Sequence, residues 1–354
     1  MPPLPPAPPR IASTVDLARY LGISEWTVSR AINGHPEVKA ATRERILQAM
    51  EEVGFRPNPV ARGLNGKAMG VVGVCFGDPR NAVMIEKIAS LDRFLHAYQL
   101  RGVLSISHRD EASEGRILSD FRHMRVDGVV LIQSFLGAKA LSRLSDGMRC
   151  VHVDPAEPEL FPSVTMDRGA AMRLIVDHLV GLGHRSFALL GFGPTSAVRW
   201  NGVRSALAAH GLDPDRSLET FELEQAGHES FVEGVELAGR LARRLKAKGK
   251  KAAKRPTAVI ALNDRIAIGA IQTLVRGGIA VPRDLSVVGF DDLDIGSHLL
   301  PTLTTINQQP EMLMQRVGEL LLGVLGKPAG SSRKRLHVEP RLMVRESTGP
   351  ASRS

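Results

Sequence analysis

Between residues 13 and 55 the apolar positions recur at helical spacing and are interrupted twice. Val15, Leu17, Ala18 and Leu21 mark one face of a first helix. Val28, Ala31 and Ile32 mark a second, and Ile46, Leu47, Met50 and Val53 a third. Ser13, with Asp16 three residues on, is placed to cap the first helix. Gly22 suits the left-handed position that ends it, and Ser24 can cap the next. Two short helices joined by a tight turn containing glycine predict a helix-turn-helix. Gly54 closes the third helix, and Pro57 and Pro59 forbid its continuation.

From residue 70 the pattern changes. The runs "GVVGVCF", "RGVLSIS", "VDGVVLIQ", "CVHVD", "SFALLGF", "TFELE", "TAVIALND" and "LSVVGFDD" are apolar and of strand length. Helical stretches separate them, such as 82–98, where Met84, Ile88, Leu91 and Leu95 recur. Near-continuous apolar strands between helices predict parallel sheets covered on both faces. About 270 residues of this pattern are too many for one core, so two lobes are expected. The fold class is therefore an all-α helix-turn-helix headpiece plus an α/β core of two doubly wound parallel-sheet lobes. The expected divisions are a disordered proline-rich arm (1–11), the headpiece (12–56), a hinge or linker (57–69), the two-lobed core (70–346) and a tail (347–354).

Composition narrows the function. Apolar content of 43% and charged content of 23% suit a soluble globular chain, and no apolar run reaches membrane-spanning length. "MPPLPPAPPR" lacks the basic and apolar regions of a secretory signal. Cys75 and Cys150 lie in apolar runs, which predicts buried thiols and a cytoplasmic, nucleoid-associated protein. The net charge of +9 is concentrated: residues 243–255, "RRLKAKGKKAAKR", hold eight basic residues and no acid, while residues 1–67 carry +3. The tract is expected to finish a helix and run into a solvated loop, with a non-specific nucleic-acid contact as the lesser reading.

Two constellations carry chemistry. In "SEWTVSRAIN" (24–33), Glu25, Trp26, Ser29, Arg30 and Asn33 form one stripe of the second helix, opposite Val28, Ala31 and Ile32. A merely solvated face would more often carry lysine and glutamate without a tryptophan. In the core, several strands end in polar residues: Asp78, Asp154, Asn263 with Asp264, and Asp291 with Asp292. Ligands of open parallel sheets sit beyond those carboxyl ends. Carboxylates and an amide suit a polyhydroxylated ligand, and Arg199 can supply an opposing donor fork. Any one of these aspartates can instead start a turn or cap a helix. No Walker loop, HExxH or G-x-S-x-G occurs, and "GFGPTS" (191–196) lacks the third glycine of a dinucleotide loop. The 11 histidines show no metal-ligand spacing, and His178 and His184 read as packing residues. No catalytic residue, metal or cofactor is expected.

The stretch "TVDLARYLGISEWTVSRAINGHPEVKAATRERILQAMEEVGFRPNPVARGL" resembles the DNA-binding headpiece of the lactose-repressor/galactose-repressor (LacI/GalR) family. "HLVGLGHRSFALLG", "AVIALNDRIAIGAI" and "LSVVGFDD…PTLTTINQ" extend the resemblance over roughly residues 11–346. It implies a core like a periplasmic sugar-binding protein and a homodimer on a palindromic double-stranded DNA operator. A small sugar-like effector in the interlobe cleft would alter the affinity, with no membrane involved. It places Glu25, Trp26 and Arg30 at base edges and Thr27, Ser29 and Asn33 near phosphates, with Ser24 also among the DNA-binding positions. Arginine can bridge guanine O6 and N7, and glutamate can accept from cytosine N4. Trp26 either presses on a thymine methyl or covers neighbouring protein surface. Leu64 matches the leucine that wedges into the minor groove.

The matched effector positions are Asn81, Asp154, Arg199, Asn263, Asp264 and Asp291. Asn81-Ala82-Val83-Met84 replaces the usual Asn-Pro and aromatics, and Pro310 and Glu229 stand near places that are often aromatic. Trp200 is the alternative stacking surface, or core. With no leucine-heptad tail after "RLMVRESTGP", a dimer is expected. The competing readings are a transporter's solute-binding protein, an α/β enzyme, and a DNA-binding dimer whose core has lost its ligand response.

Overall fold

A computed structural model describes residues 11–32, 35–56, 68–79, 81–155, 161–193, 196–222, 230–246, 255–330 and 333–352. The chain divides into two compact units, Met1–Val71 with Arg125–Asp127, and Val72–Met124 with Gly128–Ser354. Asn33, Leu64, Glu229 and most of the basic tract lie outside the described residues.

The first unit holds α1 (Thr14–Leu21), α2 (Glu25–Ile32) and α3 (Ala40–Glu52). Ser13 caps α1: its Oγ accepts from the Asp16 N–H at 3.1 Å and donates to the Asp16 carboxylate at 2.8 Å. Gly22 ends the helix at φ 68°, and Ser24 Oγ accepts from the Thr27 N–H at 3.1 Å. Leu17, Ala18, Val28, Ala31, Ile46, Ala49 and Phe55 form the small core. Two positions differ from the sequence reading. Val15 and Leu47 are 43% and 48% exposed, and Ala49 takes the inward place given to Leu47. Three short helices enclose only a narrow stripe of each, and small residues let them approach.

In the second unit, β1 (Val71–Phe76), β2 (Arg101–Ile106), β3 (Gly128–Ile132), β4 (Cys150–Val153), β5 (Ser163–Met166) and β11 (Arg335–Val338) form one sheet, ordered β11-β5-β4-β3-β1-β2. A second sheet, ordered β7-β6-β8-β9, joins β6 (Phe187–Leu190), β7 (Leu218–Phe221), β8 (Ala258–Ala261) and β9 (Ser286–Val288). The registers given by β1 with β3, β4 with β5 and β6 with β8 are parallel, as the apolar runs predict. Helices α4 (Ala82–Ala97), α5 (Glu111–His123), α6 (Ala138–Leu144) and α12 (Pro310–Val324) accompany the first sheet. α7 (Arg168–Gly181), α8 (Ala197–Ala209), α9 (Pro214–Ser217), α10 (Phe231–Lys246) and α11 (Asp264–Arg276) accompany the second.

The chain passes between the lobes after β5, returns through β10 (Thr305–Asn307) into α12, and crosses again from β11 to β12 (Arg341–Met343). β10 and β12 pair antiparallel, with Ile306 opposite Leu342, as a two-stranded ribbon. The sequence reading does not contain β5, β10, β11 or β12. They are three or four residues long, and their partners are distant in sequence, as in Arg335 against Ser163.

Both cysteines are buried, and burial pushes each thiol up to about 12. His152 on β4 is buried with its ring stacked 4.7 Å from Phe161, and its Nε2 has no partner. Burial lowers its pKa from 6.5 to about 4, because the charged ring would lose its hydration. The neutral ring therefore contributes stability that is complete above pH 6.5 and is lost as pH falls to about 4. His152→Leu should remove this term, so the variant gains on the parent by roughly 3 kcal/mol between those pH values. Urea midpoints of both proteins across pH 4–7 test this; parallel profiles would refute it.

Candidate nucleic-acid and ligand sites

On the first unit, α2 turns Val28 and Ala31 into the core, which leaves Glu25, Trp26 and Arg30 on its outer side. Glu25 accepts a long bond from Thr14 Oγ1 at 3.4 Å, and Ser24 and Thr27 share a hydroxyl bond of 2.8 Å. Ser29 is half-buried on the same helix. Trp26 is 63% exposed, yet its ring is engaged: the Arg30 guanidinium carbon stands 3.7 Å from the ring centroid. Arg30 Nη1 also donates to the Glu37 carboxylate. The side chain that Trp26 meets within the headpiece is that of Arg30. The short spacing of residues 26 and 30, one helical turn apart, is the signal that pointed there. Glu37 carried no such signal, since it comes from the turn before α3.

The second unit has a small, open recess lined by polar groups from both of its lobes. The first lobe contributes Asp78, Asn81, Ala82 and Arg109; the second contributes Asn263, Arg265, Asp291 and Leu293. Among the described residues, two carboxylates, two guanidiniums and two amides line it, with no aromatic ring. Asn81 caps α4, accepting from the Val83 and Met84 N–H groups at 3.0 and 3.3 Å. Asn263 caps α11 through the Ile266 N–H at 2.9 Å. Arg265 stacks 5.3 Å over Phe231. Asp291 follows β9 in a left-handed backbone (φ 127°), and its Oδ1 accepts from Gln308 at 2.5 Å. His108, Arg109, Gln133, Asp154 and Asp292 also have positive φ, all just beyond strand ends. Such strain gathers where a scaffold presents side chains for binding.

The other predicted positions serve elsewhere. Asp154 is buried and accepts from the Met166 N–H at 3.0 Å, Arg168 at 3.0 Å and Lys87 at 3.5 Å. Burial pushes its carboxyl up, but the charges of Arg168 and Lys87 outweigh this and hold it below the usual range. Lys87 also donates to Gln308 at 3.0 Å, and burial lowers its ammonium pKa by removing its hydration, against the opposing pull of Asp154. Asp264 is wholly buried; it accepts from Thr305 Oγ1 at 2.6 Å and from the Leu293 N–H at 2.7 Å. Burial raises its pKa to about 6. Arg199 donates to the Leu262 carbonyl at 2.7 Å and lies 5.0 Å from the Phe290 ring. Trp200 packs on the core, tilted 6.5 Å from Phe192.

Sequence reasoning omitted Lys87, Arg109, Arg265 and Gln308. Lys87 had a signal, because it interrupts the apolar stripe of Met84, Ile88 and Leu91. Arg109 had none, since its place depends on a turn after β2. His178 bonds Thr348 at 2.9 Å, and His184 bonds Thr257 at 2.9 Å and the Gly349 carbonyl at 3.0 Å. Among the described residues no group of histidine, cysteine or carboxylate side chains could hold a metal ion. No described helix is long and apolar enough to cross a membrane.

A helix-turn-helix unit followed by two parallel-sheet lobes around a polar recess defines a DNA-binding regulator of the binding-protein-like type. Family comparisons agree: residues 15–58 match the bacterial regulatory proteins of the lacI family, and residues 176–348 match the periplasmic binding protein-like domain. The chain belongs to the lacI family of bacterial regulatory proteins and is a DNA-binding transcriptional regulator. It is similar to catabolite control protein A of Priestia megaterium, with 29% identity over 318 residues covering 88% of this chain and 91% of the relative. Similarity to the HTH-type transcriptional regulator DegA of Bacillus subtilis (strain 168) is 29% over 346 residues, covering 95% and 97%. Among solved structures, the Lac repressor dimer bound to operator and the anti-inducer ONPF matches with a TM-score of 0.82 and 26% identity, covering 96% of this chain and all of that one.

Proposed function

We propose that this regulator is a cytoplasmic repressor that binds a palindromic operator as a homodimer and answers to a sugar or sugar derivative held between its lobes. The observation that carries the reading is the recess itself, in which donors and acceptors from both lobes face one small volume. A polyhydroxylated molecule would bridge Asp78 and Asn81 of one lobe to Asn263 and Asp291 of the other. It would thereby favour one lobe arrangement, and operator affinity would follow its differential binding to the two states. The Lac repressor dimer bound to operator and an anti-inducer supports the same economy of parts. Glu25 and Arg30 are the base-reading residues in this proposal, with Ser24, Thr27, Ser29 and Asn33 near phosphates and Leu64 as the minor-groove wedge. Two α2 helices would enter successive major grooves.

The test begins with duplexes selected by the full-length protein from a random pool. Arg30→Ala is expected to weaken binding to them by roughly 1–3 kcal/mol and to relax preference at one base pair. The selected duplex is then titrated in the presence of sugars, sugar acids and sugar phosphates. A member of the panel should shift affinity in the parent and not in Asp291→Ala. An unchanged base preference in Arg30→Ala sinks the DNA-reading assignment. A panel with no active member favours the alternative of a ligand-insensitive dimer.

A further inference from the structure

The arginine on α2 does not stand alone. Trp26, one turn earlier, lays its ring under the guanidinium at 3.7 Å. Glu37 approaches from the side and takes Nη1. The turn that brings Glu37 there is itself pinned: the His35 N–H donates to the Arg30 carbonyl at 3.0 Å, and Arg43 Nη2 donates to the His35 carbonyl at 3.0 Å. Val38, next in the chain, packs against the headpiece core. An arginine side chain on a helix surface ordinarily samples many rotamers and must lose them to meet a base edge. Here a flat ring fixes the plane of the guanidinium and a carboxylate fixes its rotation within that plane. The Nη2–Nε edge remains to meet guanine O6 and N7, the pair that an arginine fork matches. The indole has a single donor and no acceptor, so it is poorly equipped to read a base pair by hydrogen bonds.

We propose that Trp26 and Glu37 are positioning residues for Arg30: a ring and a carboxylate that clamp the guanidinium in the orientation that selects guanine. The inference rests on the DNA-reading role of α2 proposed above and extends it to how specificity is set. Glu37 adds a second effect. Its negative charge, 67% exposed at the side chain, repels phosphates wherever Arg30 has no guanine to engage. It thus lowers non-specific binding while ordering the specific contact. Trp26 contributes through attraction between the cation and the ring face, which an aromatic replacement would largely retain.

The experiment measures, for the full-length protein, the ratio of affinities between a duplex selected from a random pool and the set in which each base pair is exchanged in turn. Arg30→Ala first identifies the base pair that arginine reads. Trp26→Ala is expected to lower discrimination at that same pair about two- to fivefold, with Trp26→Phe restoring most of it. Glu37→Gln should lower the same ratio while leaving non-specific affinity equal or higher. Trp26→Ala combined with Arg30→Ala should be no worse at that pair than Arg30→Ala alone, since a clamp without its arginine has nothing to hold. Thermal melting and the salt dependence of binding to random-sequence DNA report whether the headpiece stays folded and its phosphate contacts survive. Loss of discrimination in Trp26→Ala at a different base pair would overturn the proposal and make Trp26 a reader in its own right. Full discrimination in Trp26→Ala would overturn it as well. If Arg30→Ala itself changes no base preference, the failure belongs to the DNA-reading assignment and takes the clamp with it.

Discussion

Asp154→Ala is expected to destabilise the core unit by roughly 3–5 kcal/mol, because it strands a buried ammonium without its counter-charge. Lys87 is 2% exposed and reaches two acceptors, Asp154 and Gln308. The amide oxygen of Gln308 cannot neutralise a charge. Arg168 is affected less, since its side chain is 23% exposed and can turn to solvent. The companion variant separates charge from packing. Lys87→Met fills a similar volume, and the double substitution with Asp154→Ala should recover most of the loss, whereas independent effects would add. Urea unfolding of the four proteins measures the cycle. Additive losses would mean that the pair does not act as a unit. The result also bears on the ligand site. A carboxylate whose removal unfolds the lobe holds the scaffold, and a missing effector response in that variant would say nothing about contact with a ligand.

Gly269→Ala should also be costly, by about 3 kcal/mol for an overpacked contact that cannot relax. Helix propensity alone gives the opposite sign, since alanine is favoured over glycine in a helix interior by roughly 1 kcal/mol. The structure decides between them. A Cβ on Gly269 of α11 would stand 3.0 Å from the Val235 nitrogen and 3.1 Å from the Phe231 carbonyl carbon of α10. A Cβ on Gly234 of α10 would in return stand 2.9 Å from the Ile266 backbone. Backbone atoms have no rotamers into which to retreat, so the two helices would have to separate. Gly239 on α10 provides the control. Its added Cβ would meet only the end of the Arg243 side chain at 3.8 Å, and Gly239→Ala should stabilise by roughly 0.5–1 kcal/mol. Midpoints that rise for both substitutions would show that α10 and α11 do not cross at these glycines.

The two predictions mark where sequence reasoning reaches and where it stops. α1 to α3 were legible because their signals are local: a capping serine, a left-handed glycine and a stripe of apolar residues, all within about 40 residues. Of the eight strands read from apolar runs, six are buried on both faces, while β2 and β7 sit at sheet edges and stay partly exposed. β10 and β12 were not, because a two-stranded ribbon between lobes has neither the length nor the apolar density to announce itself. In the recess, Asp78, Asn263 and Asp291 were read from strand-end positions and Asn81 from the family resemblance, and all four line it. Asp154 and Asp264 come from the same kind of positions, and Arg199 and Trp200 from the helix after β6, but all four engage neighbouring side chains or backbone. Sequence position shows that a polar group stands at a strand end; whether the group faces a cavity or a partner depends on what other elements bring to it.

Local pattern was enough to read the two kinds of architecture in this regulator and the outward-facing stripe of α2, since both follow from periodicity and from caps only a few residues away. The tertiary structure alone decided which charges are spent internally and which line the recess. It also brought Trp26 and Glu37 into contact with Arg30. Those outcomes turn on distances between segments remote along the chain, and electrostatic and packing energies depend on distance in space, to which a linear pattern of residues is blind.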